Sequence, residues 1–523
     1  MNNKIFYLFL LSFSLSIQDN FSGINRNKWL YNSSDKVYYQ LGIQYCENPA
    51  DLTYQTLSLF VPEKYMICSK DGNFYSCQVS KDIIDNSYNS KNAPVVFRIN
   101  TPGYAAAKAP SSYPRDVSTF TNSGLIYFYP GCRGRNHGAP SGVVDLKAAI
   151  SFIKNQILLD LVPGDIQRFF SFGMSGGGAQ SALIGSTGDS PLFDDYLKTI
   201  GAVTNTSNSV YGSMCWCPIT NLDHADEAYE WSMGQSRSNL NIDEQNYSDR
   251  LAKSYCGYIN KVGFKDEDGA ILELESSNND ILGFYQQGSY YDYIKKTIEK
   301  SFEQFVKSNP FPYTPSNGRP FLSFASSTTY KDLDSYLEFL NDKYDEPWIT
   351  YSDENGAKIS DLANFSKVCK SANKGIGAFD SVSKNTPENL LFGIGNDNPL
   401  HFDSVLGKIT DLSEFENDLN VEDNLGNDVS KRLLMYTPLN YLLPKYEQYR
   451  KSEVAKYWRI RTGLFQQDTS LCTEVNLYLA LKNYVGVEDV DFQTIWGQKH
   501  VEAEMSGSSN ENFVEWVKSL TLS

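Results

Sequence analysis

Between residues 168 and 185 a short apolar run, Arg168-Phe169-Phe170-Ser171-Phe172, passes through Gly173-Met174-Ser175-Gly176-Gly177 into a stretch of helical composition. A chain that turns this sharply from strand to helix strains the backbone of the apical residue, and small residues two before and two after it avoid clashes across the turn. The surroundings repeat the same rhythm. Residues 95–99 and 124–129 are apolar, β-branched and aromatic, which predicts strands, while Val144, Leu146, Ala149, Ile150 and Ile153 fall at helical spacing. Strand, helix, strand, helix in this order requires a parallel sheet covered by helices.

The chain has 523 residues, more than one core usually serves, since domains tend to split beyond ~250–300 residues. The pattern changes after about residue 218. Charged, Tyr-rich helical pieces at 290–307 and 332–340 are separated by Asn/Ser/Gly loops, and the strand–helix rhythm returns with residues 455–460 and 490–496. The division expected is an export signal at 1–16, a first catalytic part at 17–217, an inserted lid domain at 218–454 and a second catalytic part at 455–523.

Lys4 followed by an apolar stretch and Ser14-Leu15-Ser16 reads as a secretory signal, and the run is too short to span a bilayer, which needs ~20 apolar residues. Secretion permits disulfides among the nine cysteines; Cys68 and Cys77 flank Asp71-Gly72-Asn73, a turn signal, and suit a hairpin cross-link. Sequons at Asn20, Asn32, Asn205, Asn246 and Asn364 would accept glycans in a host that attaches them. A net charge of -16 argues against binding nucleic acid or an anionic membrane surface. Cys215-Trp216-Cys217 has no matching Cys/His pair, and Asp223-His224-Ala225-Asp226 reads as a helix start, so neither a metal nor any other cofactor is expected.

Gly-x-Ser-x-Gly at a strand-to-helix turn is the nucleophile elbow of the α/β-hydrolase fold, with Ser175 as nucleophile and the Gly176 N–H as one oxyanion donor. In this fold the acid and then the histidine follow the serine in chain order. Of four histidines (His137, His224, His401 and His500), only His500 lies beyond the point where the strand–helix rhythm resumes. Asp468, in the loop after the 455–460 strand, is the expected acid; Asp489 and Asp491 start the next strand, at the far end of the sheet, and Asp468 also competes as a helix N-cap. Gly103, in the loop after residues 95–99, is the expected second oxyanion donor.

Three segments carry a broader likeness: Tyr129-Pro130-Gly131-Cys132-Arg133-Gly134, the elbow continued as Gly178-Ala179-Gln180-Ser181-Ala182, and Cys217-Pro218-Ile219-Thr220-Asn221-Leu222-Asp223-His224-Ala225-Asp226. With Gly377-Ala378-Phe379-Asp380, Glu388-Asn389-Leu390-Leu391-Phe392-Gly393, Ile460-Arg461-Thr462-Gly463 and Asp468-Thr469, the chain over residues 90–515 resembles the bacterial-type tannases and related feruloyl-type esterases. The resemblance implies hydrolysis of phenolic acid esters, a lid between the two catalytic parts, and recognition of galloyl hydroxyls by Lys374, Glu388 and Asp468. The family pattern carries two aspartates two residues apart; this chain has Gln466 at the first place and Asp468 at the second. The expected protein is a secreted serine esterase acting on a small-molecule ester. A serine peptidase on the same fold and a non-catalytic binding protein are the alternatives.

Overall fold

A computed structural model describes residues 23–81, 88–275, 286–315 and 328–522. The expected export signal at 1–16 lies outside the described residues, as does Asn20. Among the described residues the largest sheet has nine strands, β1 (Leu30–Asn32), β2 (Val37–Gln44), β3 (Thr56–Pro62), β4 (Val95–Ile99), β5 (Ile126–Pro130), β6 (Phe169–Met174), β7 (Gly212–Trp216), β8 (Tyr457–Gly463) and β9 (Asp489–Ile495). Their spatial order is β1-β2-β3-β5-β4-β6-β7-β8-β9. From β5 to β9 every neighbouring pair is parallel, and β1 to β3 extend the sheet antiparallel through β5. This is the α/β-hydrolase arrangement that the strand–helix rhythm calls for.

Parallel strands buried on both faces read as continuous apolar runs, and β4 and β6 are almost wholly buried. Helices Val117–Thr121 and Ser509–Thr521 press Phe120 and Phe513 onto the sheet, where the Phe513 ring lies 4.3 Å from that of Phe172 and the Phe120 ring 4.5 Å from that of Tyr127. Such aromatic pairs add about 0.5–1.5 kcal/mol each beyond the area they bury. Helices Ser141–Leu158, Gly176–Ser186 and Leu471–Lys482 complete the cover.

Beside the sheet, Met66–Asp71 and Phe74–Val79 form a hairpin whose turn is Gly72-Asn73, with Gly72 at φ 59° as such a turn requires. Cys68 and Cys77 sit directly opposite each other in it and are joined by a disulfide; the other seven cysteines are buried thiols. Between β7 and β8 the chain leaves the sheet for a long helical excursion that includes Ala225–Met233, Ile242–Val262 and Ser289–Ser308, together with a two-stranded hairpin, Ile349–Ser352 and Gly356–Ile359. It rests on the sheet's helices and their approaches through buried polar contacts: Gln180 Nε2 donates to Tyr436 Oη at 2.8 Å, and the Arg432 guanidinium donates to the carbonyl of Ala139, just before helix Ser141–Leu158. Among the described residues no helix is long and apolar enough to cross a membrane.

Candidate active site

Ser175 stands between β6 and helix Gly176–Ser186 with φ 61° and ψ -123°, a strained conformation that only the tight surroundings can hold. The glycines make the turn sterically feasible. A Cβ on Gly177 would lie 2.2 Å from the Ile99 carbonyl oxygen, and one on Gly173 would lie 2.5 Å from the Gly177 backbone. Ser175 N–H is tied to the Trp216 carbonyl at 2.9 Å, which anchors the elbow to β7. The side chain is raised over the carboxyl ends of the strands, and the helix begins at Gly176, where first-turn N–H groups have no carbonyl partner within the helix.

His500 arrives from the loop after β9. Its Nε2 lies 2.8 Å from Ser175 Oγ, hydrogen-bond distance for a base that takes the hydroxyl proton. The loop after β8 steadies this approach, since Phe465 N–H donates to the carbonyl of Gln498, two residues before the histidine, at 2.8 Å. The other three histidines are engaged elsewhere: His137 faces Asp51, His224 bonds Glu227 and stacks on Tyr258, and His401 is buried against Asp380 at 2.7 Å.

On the far side of the imidazole the geometry differs from the expectation. The hydrogen bond at His500 Nδ1 is made by Gln466 Oε1, at 2.7 Å, while Asp468 Oδ2 stands at 3.8 Å with a side chain 40% exposed. The loop turns at Gly463, whose carbonyl accepts from Gln466 N–H, and sends Gln466 inward while Asp468 faces the opening. Asp468 therefore touches the imidazole by charge and not by a hydrogen bond. A search for acids passes over Gln466 because it is not one; its place two residues before Asp468 was the available signal. Asp468 is not the N-cap of the next helix either, a role taken by Ser470. Asp491 is ion-paired with Arg461 on the sheet, away from the serine.

Burial holds the His500 imidazole below its ordinary pKa; the Asp468 carboxylate opposes this, and the Lys374 and Lys370 ammonium groups add to it. The histidine is thus neutral, and able to act as a base, at neutral pH. Because Asp468 raises the histidine's pKa, Asp468→Asn lowers it further. The acid limb of the kcat/KM profile should then move to lower pH, and a pH titration of activity showing the limb unmoved or shifted upward would contradict this.

Lys374 and Glu388, distant in sequence from the elbow, lie within electrostatic reach of it and of each other. Lys374 Nζ sits 4.1 Å above the Phe379 ring and acts on both His500 and Glu388. Glu388, in the first turn of helix Pro387–Leu391, is buried; desolvation raises its pKa, the cations Lys374 and Arg135 oppose this, and Asp468 adds to it. Arg135 donates to the Gly103 carbonyl at 2.6 Å, joining this group to the loop beside the elbow. In that loop the Tyr104 N–H is spent on Thr101, and the Gly103 nitrogen lies 3.3 Å from where a Cβ on Gly176 would stand. The Asp226 carboxylate is occupied by the N–H groups of Phe379 and Asp380.

No protein-family model matches the chain, and no curated protein matches it in sequence. Solved structures do. A tannase from Fusobacterium nucleatum superposes with a TM-score of 0.71 at 27% identity, covering 93% of this chain and 95% of that one. The tannin acyl hydrolase from Lactobacillus plantarum superposes at 0.70 and 24% identity, covering 93% and 94%. A tannin acyl hydrolase in complex with ethyl gallate gives 0.70 at 23%, covering 95% and 97%. Since the likeness extends over the excursion between β7 and β8 as well as the sheet, the chain is a tannase-like carboxylic ester hydrolase of the α/β-hydrolase fold.

Proposed function

We propose that this chain hydrolyses esters of phenolic acids through Ser175 and His500, in a pocket roofed by the excursion between β7 and β8 acting as a lid. The observation that carries the reading is the 2.8 Å contact between His500 Nε2 and Ser175 Oγ at a strained elbow. As Oγ attacks the ester carbonyl carbon, His500 Nε2 accepts the hydroxyl proton and the carbonyl electrons move onto oxygen. The N–H groups of Gly176 and Gly103 would hold that oxyanion. Collapse breaks the C–O bond to the alcohol, which leaves with the proton from His500, and the acyl group remains on Ser175. Water, deprotonated by the same imidazole, then releases the acid.

Lys374, Glu388 and Asp468 supply the recognition: carboxylates accept bonds from phenolic O–H groups and an ammonium donates to their oxygens. Asp468 takes a second part by facing the imidazolium at 3.8 Å. The ethyl gallate complex of the tannin acyl hydrolase supports a galloyl or related hydroxylated ring as the acid half. The apolar stretch near the start of the chain and the Cys68–Cys77 disulfide support action outside the cell.

The test is turnover by the purified protein of ethyl gallate, 4-nitrophenyl acetate and a peptide amide. Release of gallate with a higher kcat/KM than for the acetate, and no amide cleavage, is expected. Acetate turnover without gallate release would sink the phenolic assignment, and amide cleavage without ester preference would make the protein a peptidase.

A further inference from the structure

Behind the histidine lies a buried carboxylate that never touches it. Gln466 and Glu474 are both essentially inaccessible to solvent. While Gln466 Oε1 faces His500 Nδ1, Gln466 Nε2 donates to Glu474 Oε1 and to Thr462 Oγ1 at 2.7 Å. The Thr462 hydroxyl in turn donates to Glu474 Oε1 at 2.7 Å, and Lys370 Nζ holds the Gln466 backbone carbonyl. Glu474 comes from the first turn of helix Leu471–Lys482 and is the only carboxylate in it. A buried helix carries such a group at a cost of desolvation, and that cost demands a use.

The chemistry of the amide supplies one. A side-chain amide has an accepting end and a donating end, and imidazole has one of each when neutral. Glu474 Oε1 only accepts, so the amide must turn Nε2 toward it and present Oε1 to the histidine. Gln466 Oε1 in turn only accepts, so the imidazole must carry its proton on Nδ1. That leaves the Nε2 lone pair for the Ser175 hydroxyl, the tautomer a base needs here. If the amide turned over, Oε1 would face the carboxylate and the NH2 group would face Nδ1–H.

We propose that Glu474 is a positioning residue for the reaction, fixing the tautomer and orientation of His500 through the Gln466 amide. It does at one remove what a carboxylate beside the imidazole does directly. Burial raises the Glu474 pKa to about 8 against the opposing pull of Lys370, Thr462 and Gln466, and Oε1, which meets both donors, stays the accepting oxygen in either ionisation state because a proton would sit on Oε2. The inference rests on Ser175 and His500 being the reacting pair.

Three measurements test it. In the parent, 15N ring shifts of His500 should show the proton on Nδ1; a proton on Nε2 would overturn the proposal with no variant needed. In Glu474→Gln the amide facing Gln466 no longer enforces one orientation, so kcat on ethyl gallate should fall roughly 10- to 100-fold, the scale seen when an orienting partner is lost. KM should stay within about twofold and the His500 signal should show a mixed tautomer, neither of which a general loss of stability would produce. The isosteric exchange Gln466→Glu with Glu474→Gln places the carboxylate straight on Nδ1. It should recover at least about tenfold of the lost kcat, the fold expected of a restored charge-assisted bond. With Asp468, Lys374 and Lys370 still facing the ring, its acid limb should move to higher pH, because an adjacent carboxylate raises the imidazole pKa. Parental kcat and tautomer in folded Glu474→Gln, or a folded exchange variant no better than Glu474→Gln, would overturn the proposal. If the single variant does not fold, the exchange variant decides alone: near-parental kcat with the shifted limb supports the relay, and an inactive folded protein refutes it. Activity that is lost in Ser175→Ala but kept in Glu474→Gln refutes the relay and leaves the esterase reading standing.

Discussion

Replacing His500 by alanine should cost on the order of 10^5- to 10^6-fold in kcat/KM on ethyl gallate, and Ser175→Ala about the same, because the two act as one unit. A serine hydroxyl holds its proton at neutral pH, and among the described residues the imidazole within reach of Oγ is that of His500, at 2.8 Å. The double variant should be no worse than either single one, since removing the base leaves little for the nucleophile to lose. Residual activity should stay above the uncatalysed rate, reflecting substrate binding and the N–H groups at the elbow. Steady-state kinetics on the three variants, with circular dichroism to establish folding, measures this. Losses that multiply in the double variant would mean that the serine and histidine serve separate steps.

The second large effect is one of selectivity. Lys374→Met and Glu388→Gln should each lower kcat/KM on ethyl gallate by roughly 10- to 100-fold, the range of one charge-assisted hydrogen bond. On 4-nitrophenyl acetate, whose acyl half has no phenolic hydroxyl, the same variants should stay within about threefold of the parent. The physical basis is the burial of Glu388, with Lys374 set over the Phe379 ring within electrostatic reach of it. Equal losses on both esters would show that the two residues hold the pocket together and do not read the ring.

The fold was legible because its determinants are local. Apolar runs at β4 and β6 and the helical spacing of Val144, Leu146 and Ile150 need no partner to be seen, and the elbow's glycines announce a tight turn in the sequence itself. The pairing of Cys68 with Cys77 followed from the turn between them. His500 was legible by chain order and scarcity. What the sequence hid was the side of the imidazole away from the serine. A loop only seven residues long after β8 decides whether Gln466 or Asp468 turns inward, and the decision depends on the Gly463 turn and on a buried helix carboxylate eight residues beyond Gln466. A reading by residue type looks for an acid and finds Asp468; the acceptor that meets the proton is an amide. Lys374 and Glu388 look like ordinary surface charges in the sequence, and only a family likeness or the folded excursion brings them to the site.

The most direct test of Ser175 as a nucleophile activated by His500 is to treat the folded protein with a fluorophosphonate ester and map the adduct by peptide mass spectrometry. One phosphonyl group on the peptide containing Ser175 is expected, formed orders of magnitude more slowly in His500→Ala, with ester hydrolysis lost in step with labelling. Full hydrolytic activity in protein that takes up no label at Ser175, or label at that serine with no dependence on His500, would contradict the account.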